Sequence, residues 1–481
     1  DYIHLYWGPD SIHVTLPNYG LTYRIVYPFY VSPHAGLVFP KGVTVDLSQG
    51  SINVQGNMVA DSITFITPDG VGSEIYFLRE YGTGDNYFGN GSITRCVFDS
   101  VNIRISDGTH PNLNLNTGLD KIIIDNVVGL NWTLPDYGLI VHPIANLFIY
   151  SGATLTIPKG MTMDLSVVGV YILGNIVADS VKFISPNSAA SLIHFQHQYS
   201  AGIHTFGGGS ITRCVFDSVN SPSVMISDGT HPTISNNIGL HEILVNNIVS
   251  VDWTLPNYGL IVRPFADLNI YLGITLTIPK GMTIDLSSGG ISVLGNIVAD
   301  SVKFMTPYQM GSSISFSSSN ATGIFNRDIF NFVGISTGDF PGTNVKVNSS
   351  NFVGFENGSF AVSNQSQQYK YIVDARNNYW GDPSGPYNPD SGWTGSGAWV
   401  SNNVDAYPWL SAPANYKPKT PLILIPGIMG SPLFYDANGN SAFAPTNFTF
   451  TYDITPPTIS VVTPVNNSWY NGARLNVTLS E

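Results

Sequence analysis

The 481-residue sequence predicts an all-β chain wound as a parallel β-helix, a solenoid whose coils shield one another's apolar interior. Three observations predict it. A long segment returns twice: LTIPKGMTMDLSVVGVYILGNIVADSVKF at 155–183 reappears at 276–304, and a weaker copy occupies 38–65. The strand-like runs inside each copy are four to seven residues long, rich in Val, Ile, Leu, Thr, Tyr and Phe, and closed by Gly, Pro, Asn or Asp. Hairpin dipeptides such as Asn-Gly between paired runs are sparse, and no window carries a helical apolar stripe. Sandwiches and propellers need those hairpins, whereas a coil of parallel strands does not.

The repeat spacing is 118 and then 121 residues: LPNYG at 16–20 returns at 134–138 (as LPDYG) and 255–259. Units of about 1–118, 119–239 and 240–410 follow, with about five coils of 22 to 24 residues to each 118–121-residue repeat. The chain opens inside a coil, so residues upstream of Asp1 are expected. The third unit drifts after Phe304: GSITRCVFDS (91–100, 209–218) becomes GIFNRDIFNF (323–332), and ISDGTHP (105–111, 226–232) is lost. Decay of this kind suits a terminal coil, and the block 377–410, with Trp380, Trp393, Trp399 and Trp409, suits a cap over its end. A sugar-stacking platform is the alternative role for those four tryptophans.

Composition narrows the function classes. Charged residues are 11% of the chain and the net charge is −13, with no basic run, which argues against a nucleic-acid partner. No apolar stretch reaches a membrane-spanning length. Cys96 and Cys214 hold equivalent places in two repeats, too far apart for a disulfide, and are expected to be free, buried thiols. Nine Asn-x-Ser/Thr sequons occur, no more than the Asn-, Ser- and Thr-rich background yields by chance, so glycosylation is permitted and not indicated.

Segments such as GATLTIPKGMTMDLS followed by GNIVADSVKF resemble the right-handed parallel β-helix repeats of secreted bacterial and archaeal surface proteins. The stretch 377–410 is similar to segments that close such helices. The resemblance implies a right-handed solenoid and an extracellular or cell-surface location. After a linker at 411–420, PLILIPGIMGS (421–431) resembles the first strand and loop of lecithin:cholesterol-acyltransferase-like α/β-hydrolases. That resemblance implies an oxyanion loop at Gly427, Ile428 and Met429. No Gly-x-Ser-x-Gly nucleophile elbow accompanies it, so 421–450 reads as a remnant. The tail, 452–481, resembles the opening of an Ig-like domain, with strands at about 457–463 and 473–480.

Enzymatic and metal chemistry find little support. Asp46, Asp164 and Asp285 recur once per repeat, as do Asp61, Asp179 and Asp300; so spaced they cannot share an ion and read as turn residues. Lys41, Lys159 and Lys280 recur in a Pro-Lys-Gly turn, readable as a weakly basic ridge or as solvated turns. His194, His197 and His204 form H-x2-H-x6-H, a candidate zinc set, although i and i+3 point to opposite faces of a strand. Asp107/His110 and Asp228/His231, in Asp-Gly-Thr-His-Pro, read as turns.

The sequence thus favours an extracellular or cell-surface structural or interaction protein that requires no cofactor and takes a glycan or cell-surface partner. The alternatives are a carbohydrate-active β-helix enzyme, a truncated lipase-like hydrolase, and a filament subunit self-associating through open coil ends or strand addition by its tail.

Overall fold

The computed structural model describes residues 1–414 except 69–72, 82–85, 167, 187–190, 218–222, 308–310, 356–357 and 369–370, together with three strands of the tail. Contacts divide the chain into two units, Asp1–Asn415 and Tyr416–Glu481.

The first unit is a parallel β-solenoid. Its strands are two to five residues long and pair in register with the strand one coil earlier and one coil later. Thr154–Ile157, for example, lies parallel to Asn175–Asp179, which lies parallel to Gly208–Thr212. Inward positions alternate with outward ones, so the burial of TLTI at 154–157 and at 275–278 alternates along the strand. Each Leu, Ile, Val or Phe buried this way contributes about 1.5–3 kcal/mol, which offsets the conformational entropy of ordering each coil. Among the described residues the single helical element is the 3₁₀ turn Pro389–Ser391.

Corners carry the motifs that the repeat displays. Gly42, Gly160 and Gly281 of Pro-Lys-Gly take φ of 79°, 87° and 81°, which only glycine adopts freely. Asp46, Asp164 and Asp285 each accept the backbone N–H two residues on, at 2.9 Å, so they are Asx-turn residues as expected. Arg95, Arg213 and Arg327 sit in left-handed corners and pair with Asp61, Asp179 and Asp300 of the preceding coil. These ion pairs hold the three carboxyls below the usual carboxylate range, Asp61 at about 2, where Lys41 and Arg95 both donate to it.

The repeat is not a whole number of coils. The strand Thr22–Ile25 belongs to one face, and its equivalent Ile140–Pro143 continues the ladder begun by Phe29–Val31 on the next face. Ile261–Pro264 has moved on again, into the ladder that contains Leu147–Ile149. One repeat therefore makes roughly five and a third turns, and equivalent residues step by one face per repeat. The turns of Lys41, Lys159 and Lys280 consequently fall on different edges, which rules out a single basic ridge.

Among the described residues two antiparallel hairpins leave the coils of the solenoid, and a third antiparallel pair, Tyr387–Asn388 with Trp393–Thr394, lies in the cap, contrary to the hairpin-free coil expected. The two on the coils pair Arg79–Tyr81 with Asn86–Phe88, and His197–Ser200 with Ile203–Phe206. The signal lay in spacing: about a third more residues than one coil needs separate Val-Ala-Asp-Ser from Gly-Ser-Ile-Thr-Arg in both repeats.

Both cysteines are free and buried, with Cys96 Sγ against the Ala60 carbonyl and Cys214 Sγ against the Ala178 carbonyl. Burial raises both thiols above their ordinary value. Neither thiol should react with iodoacetamide in the native protein at neutral pH, and both should react in denaturant; labelling followed by mass spectrometry checks this.

In the second unit Phe448–Thr451 runs parallel to Val477–Ser480 and antiparallel to Ile459–Ser460. The last two strands fall within the tail strands expected from sequence; the first was not anticipated.

Candidate functional site

Two arrangements on the solenoid carry side-chain chemistry, and the first explains why ISDGTHP accompanies a hairpin. In the first repeat the buried Asp107 accepts from Arg79 at 2.7 Å and from the Gly129 N–H at 2.8 Å, while Arg79 also donates to Asn86 on the opposite hairpin strand. In the second repeat the equivalent chain is Asp228, His197 and His204. His197 Nδ1 lies 2.7 Å from Asp228 Oδ1, and His197 Nε2 lies 2.8 Å from His204 Nδ1. The other Asp228 oxygen accepts from Ser250 and from the Val251 N–H. Phe206 stacks on His197, and Tyr199 packs on His204. The third repeat has lost both parts together: a short turn joins Ser312–Phe316 to Thr322–Asn326, and no ISDGTHP remains. The buried aspartate is thus a latch for the hairpin. Asp107 and Asp228 do not pair with His110 or His231.

The zinc set is split by this geometry. His197 and His204 meet across the hairpin, but His194 is buried beneath it and bonds to Ser227 Oγ at 3.0 Å. Desolvation lowers His194 to about 4, so it stays neutral. Among the described residues no cluster of three or more His, Cys, Asp or Glu side chains could hold a metal ion.

The second arrangement is a groove along one face of the third repeat. The equivalent strands of the second repeat, which lie on a different ladder, carry Phe148, Tyr171 and His194 at their outward positions. The equivalent positions 121 residues on are Asn269, Ser292 and Ser315, and the ladder continues through Ser336 and Ser363. Ser315 Oγ bonds to Ser313 and Ser336 at 3.0 and 2.8 Å. Small hydroxyls where rings stood before leave a trough. Three adjoining depressions of about 500, 210 and 590 Å³ follow it, the first two sharing Ser312 and Ser313 and the last two sharing Phe360.

Trp399 lines the far end of that trough, edge-on to Phe360 and against Tyr387 at centroid distances of 5.9 and 4.7 Å. The other tryptophans lie elsewhere. Trp380 is fully buried and stacked on Phe352, which removes it from any binding platform and makes it part of the cap. Trp393 and Trp409 pack edge-to-face against each other and against the core. Gly427, Ile428 and Met429 lie outside the described residues. Of the sequons, Asn364 is buried with its amide donating to the Tyr371 and Asn403 carbonyls, so it has no free nitrogen for a glycan.

No helix among the described residues is long and apolar enough to cross a membrane. No family model, curated protein or solved structure matches the chain.

Proposed function

We propose that the chain is a non-catalytic structural and interaction module of an extracellular or cell-surface protein, with the solenoid as a rigid display scaffold. The observation that carries this reading is how its carboxylates are used. Asp46 faces Arg24, Asp107 faces Arg79, Asp179 faces Arg213, Asp300 faces Arg327, and Asp374 faces Arg376, each pair tying a corner, strand or hairpin together. A β-helical glycosidase or lyase needs several carboxylates and a base converging on one groove. Here the trough presents hydroxyls and amides, with Asp267 and Asp390 at its two ends. The low charge and the resemblance to surface-protein repeats support the extracellular location.

Antibody raised to the solenoid should label intact cells of the source organism, and protease shaving should release the chain. The purified protein should release no reducing ends or unsaturated uronides from polysaccharides. Labelling only after lysis, or turnover of a polysaccharide, would overturn the proposal.

A further inference from the structure

We infer that the trough on the third repeat is a binding site for an uncharged linear polysaccharide, lying across the serine rungs with one sugar face against Trp399. The inference deepens the reading of the chain as an interaction module by naming the surface and the ligand class.

The trough exists because strands that carry rings outward in the second repeat carry Asn269, Ser292 and Ser315 at the equivalent positions of the third. Successive rungs are spaced ~4.8 Å apart, so Ser292, Ser315, Ser336 and Ser363 offer hydroxyls at regular intervals along one line. A hydroxyl both donates and accepts, which suits a polymer whose every unit carries hydroxyls of its own. Ser315 already shares its hydroxyl with Ser313 and Ser336, and each of these groups retains lone pairs for a ligand. At the far end the exposed Phe360 and the partly exposed Trp399 supply an apolar face, and Gln365, Gln367 and Asn402 stand beside it as amide donors and acceptors. Apolar ring faces next to amides and hydroxyls are what a pyranose, apolar on its C–H faces and polar at its rim, requires.

Competing occupants fit less well. Among the described residues no Lys, Arg or His lines any of the three depressions, and Arg263, which donates to the lining Ser288, is already paired with Glu242, so a nucleic acid or an acidic glycan would find little counter-charge. Asp267 and Asp390 would repel an anion at either end. A peptide adding a strand would need a free sheet edge, but each rung strand from Ile291–Val293 to Val333–Thr337 is paired on both sides.

Calorimetric titration of the full chain with cellohexaose, maltohexaose, mannohexaose and hexagalacturonate tests the inference. At least one neutral hexasaccharide should bind with Kd at or below ~1 mM, and hexagalacturonate should not. Ser315→Tyr and Ser336→Tyr, which refill the trough as Tyr171 fills the second repeat, should each weaken binding by about tenfold or more. Trp399→Ala should weaken it similarly, and Trp393→Ala should leave it unchanged. Circular dichroism of the tyrosine variants separates a blocked trough from a misfolded coil, and Ser315→Thr, which keeps the hydroxyl, should retain binding. Failure of every neutral hexasaccharide to bind, preference for hexagalacturonate, or binding indifferent to the folded tyrosine variants would each overturn the site. None of these results bears on whether the chain is displayed at a surface, so the two readings fail separately.

Discussion

Asp328→Asn is expected to abolish a pH dependence of stability that is confined to the third repeat. Asp328 stands where the first two repeats place Cys96 and Cys214, facing the interior. One of its oxygens accepts the Val302 N–H at 2.7 Å; the other has no partner among the described residues. Burial is the main cause that pushes its carboxyl up to about 7, and the nearby Asp300 charge adds to it. The sign follows from the raised value. The fold favours the protonated acid, so the site is fully tolerated below the unfolded value of 3.8 and costs progressively more as pH rises toward 7. The whole cost is about 4 kcal/mol, of which about 3 falls between pH 5 and pH 8.

Asparagine mimics the protonated acid and keeps an acceptor for the Val302 N–H. Urea unfolding monitored by amide exchange in the strands Lys303–Met305 and Ile329–Asn331 should therefore show the native chain losing stability from pH 5 to pH 8 and the variant staying level. At pH 8 the variant should be the more stable by about 1–3 kcal/mol, after the penalty of an amide without a partner. Parallel pH profiles for the two proteins would show that Asp328 is ionised and accommodated.

The architecture was legible in the sequence because a coil repeats its chemistry. Pro-Lys-Gly, Val-Ala-Asp-Ser and the short Val/Ile-rich runs each encode a corner or a strand, and each recurs where the backbone recurs. Cys96 and Cys214 were readable as buried free thiols for the same reason. What the residues could not reveal was phase. Whether five coils or five and a third separate Asp46 from Asp164 depends on how many corners each repeat makes, and corners at 112 and 117 pair by single bridges that leave no strand-like run. The hairpins left a trace only in the longer spacing between Val-Ala-Asp-Ser and Gly-Ser-Ile-Thr-Arg, since their turn residues resemble any other corner. His197 and His204 were flagged together with His194, yet only three-dimensional pairing shows that the first two share Asp228 and the third does not. The trough was invisible for a different reason: a serine-rich strand looks like ordinary surface until its hydroxyls are seen to align rung by rung along one ladder.

Trp380→Ala is expected to cost about 3–5 kcal/mol and to loosen the last coils of the solenoid first. Phe304, Phe330, Phe352 and Trp380 form one interior column, with centroid separations of 5.3, 4.8 and 4.7 Å and nearly parallel rings. Each ring covers the one before it, and Trp380 is the last member. The backbone at Gly397 packs against Trp380 at its root: an added Cβ there would lie 2.5 Å from the Trp380 carbonyl oxygen. Ala398 donates its N–H to that same carbonyl at 2.7 Å. Removing the fully buried indole opens a void and uncovers Phe352. Because a solenoid's coils stabilise one another mainly as nearest neighbours, the loss should fall on the coils from Asn351 onward and fade toward the first repeat. The indole N–H has no partner among the described residues, so Trp380→Phe sacrifices no hydrogen bond and should recover most of the difference. Thermal unfolding of the three proteins, with exchange mapped along the chain, measures both effects. A Trp380→Ala protein as stable as Trp393→Ala, whose indole is only partly buried, would mean that the column ends at Phe352 and that the block 377–410 covers it by other means.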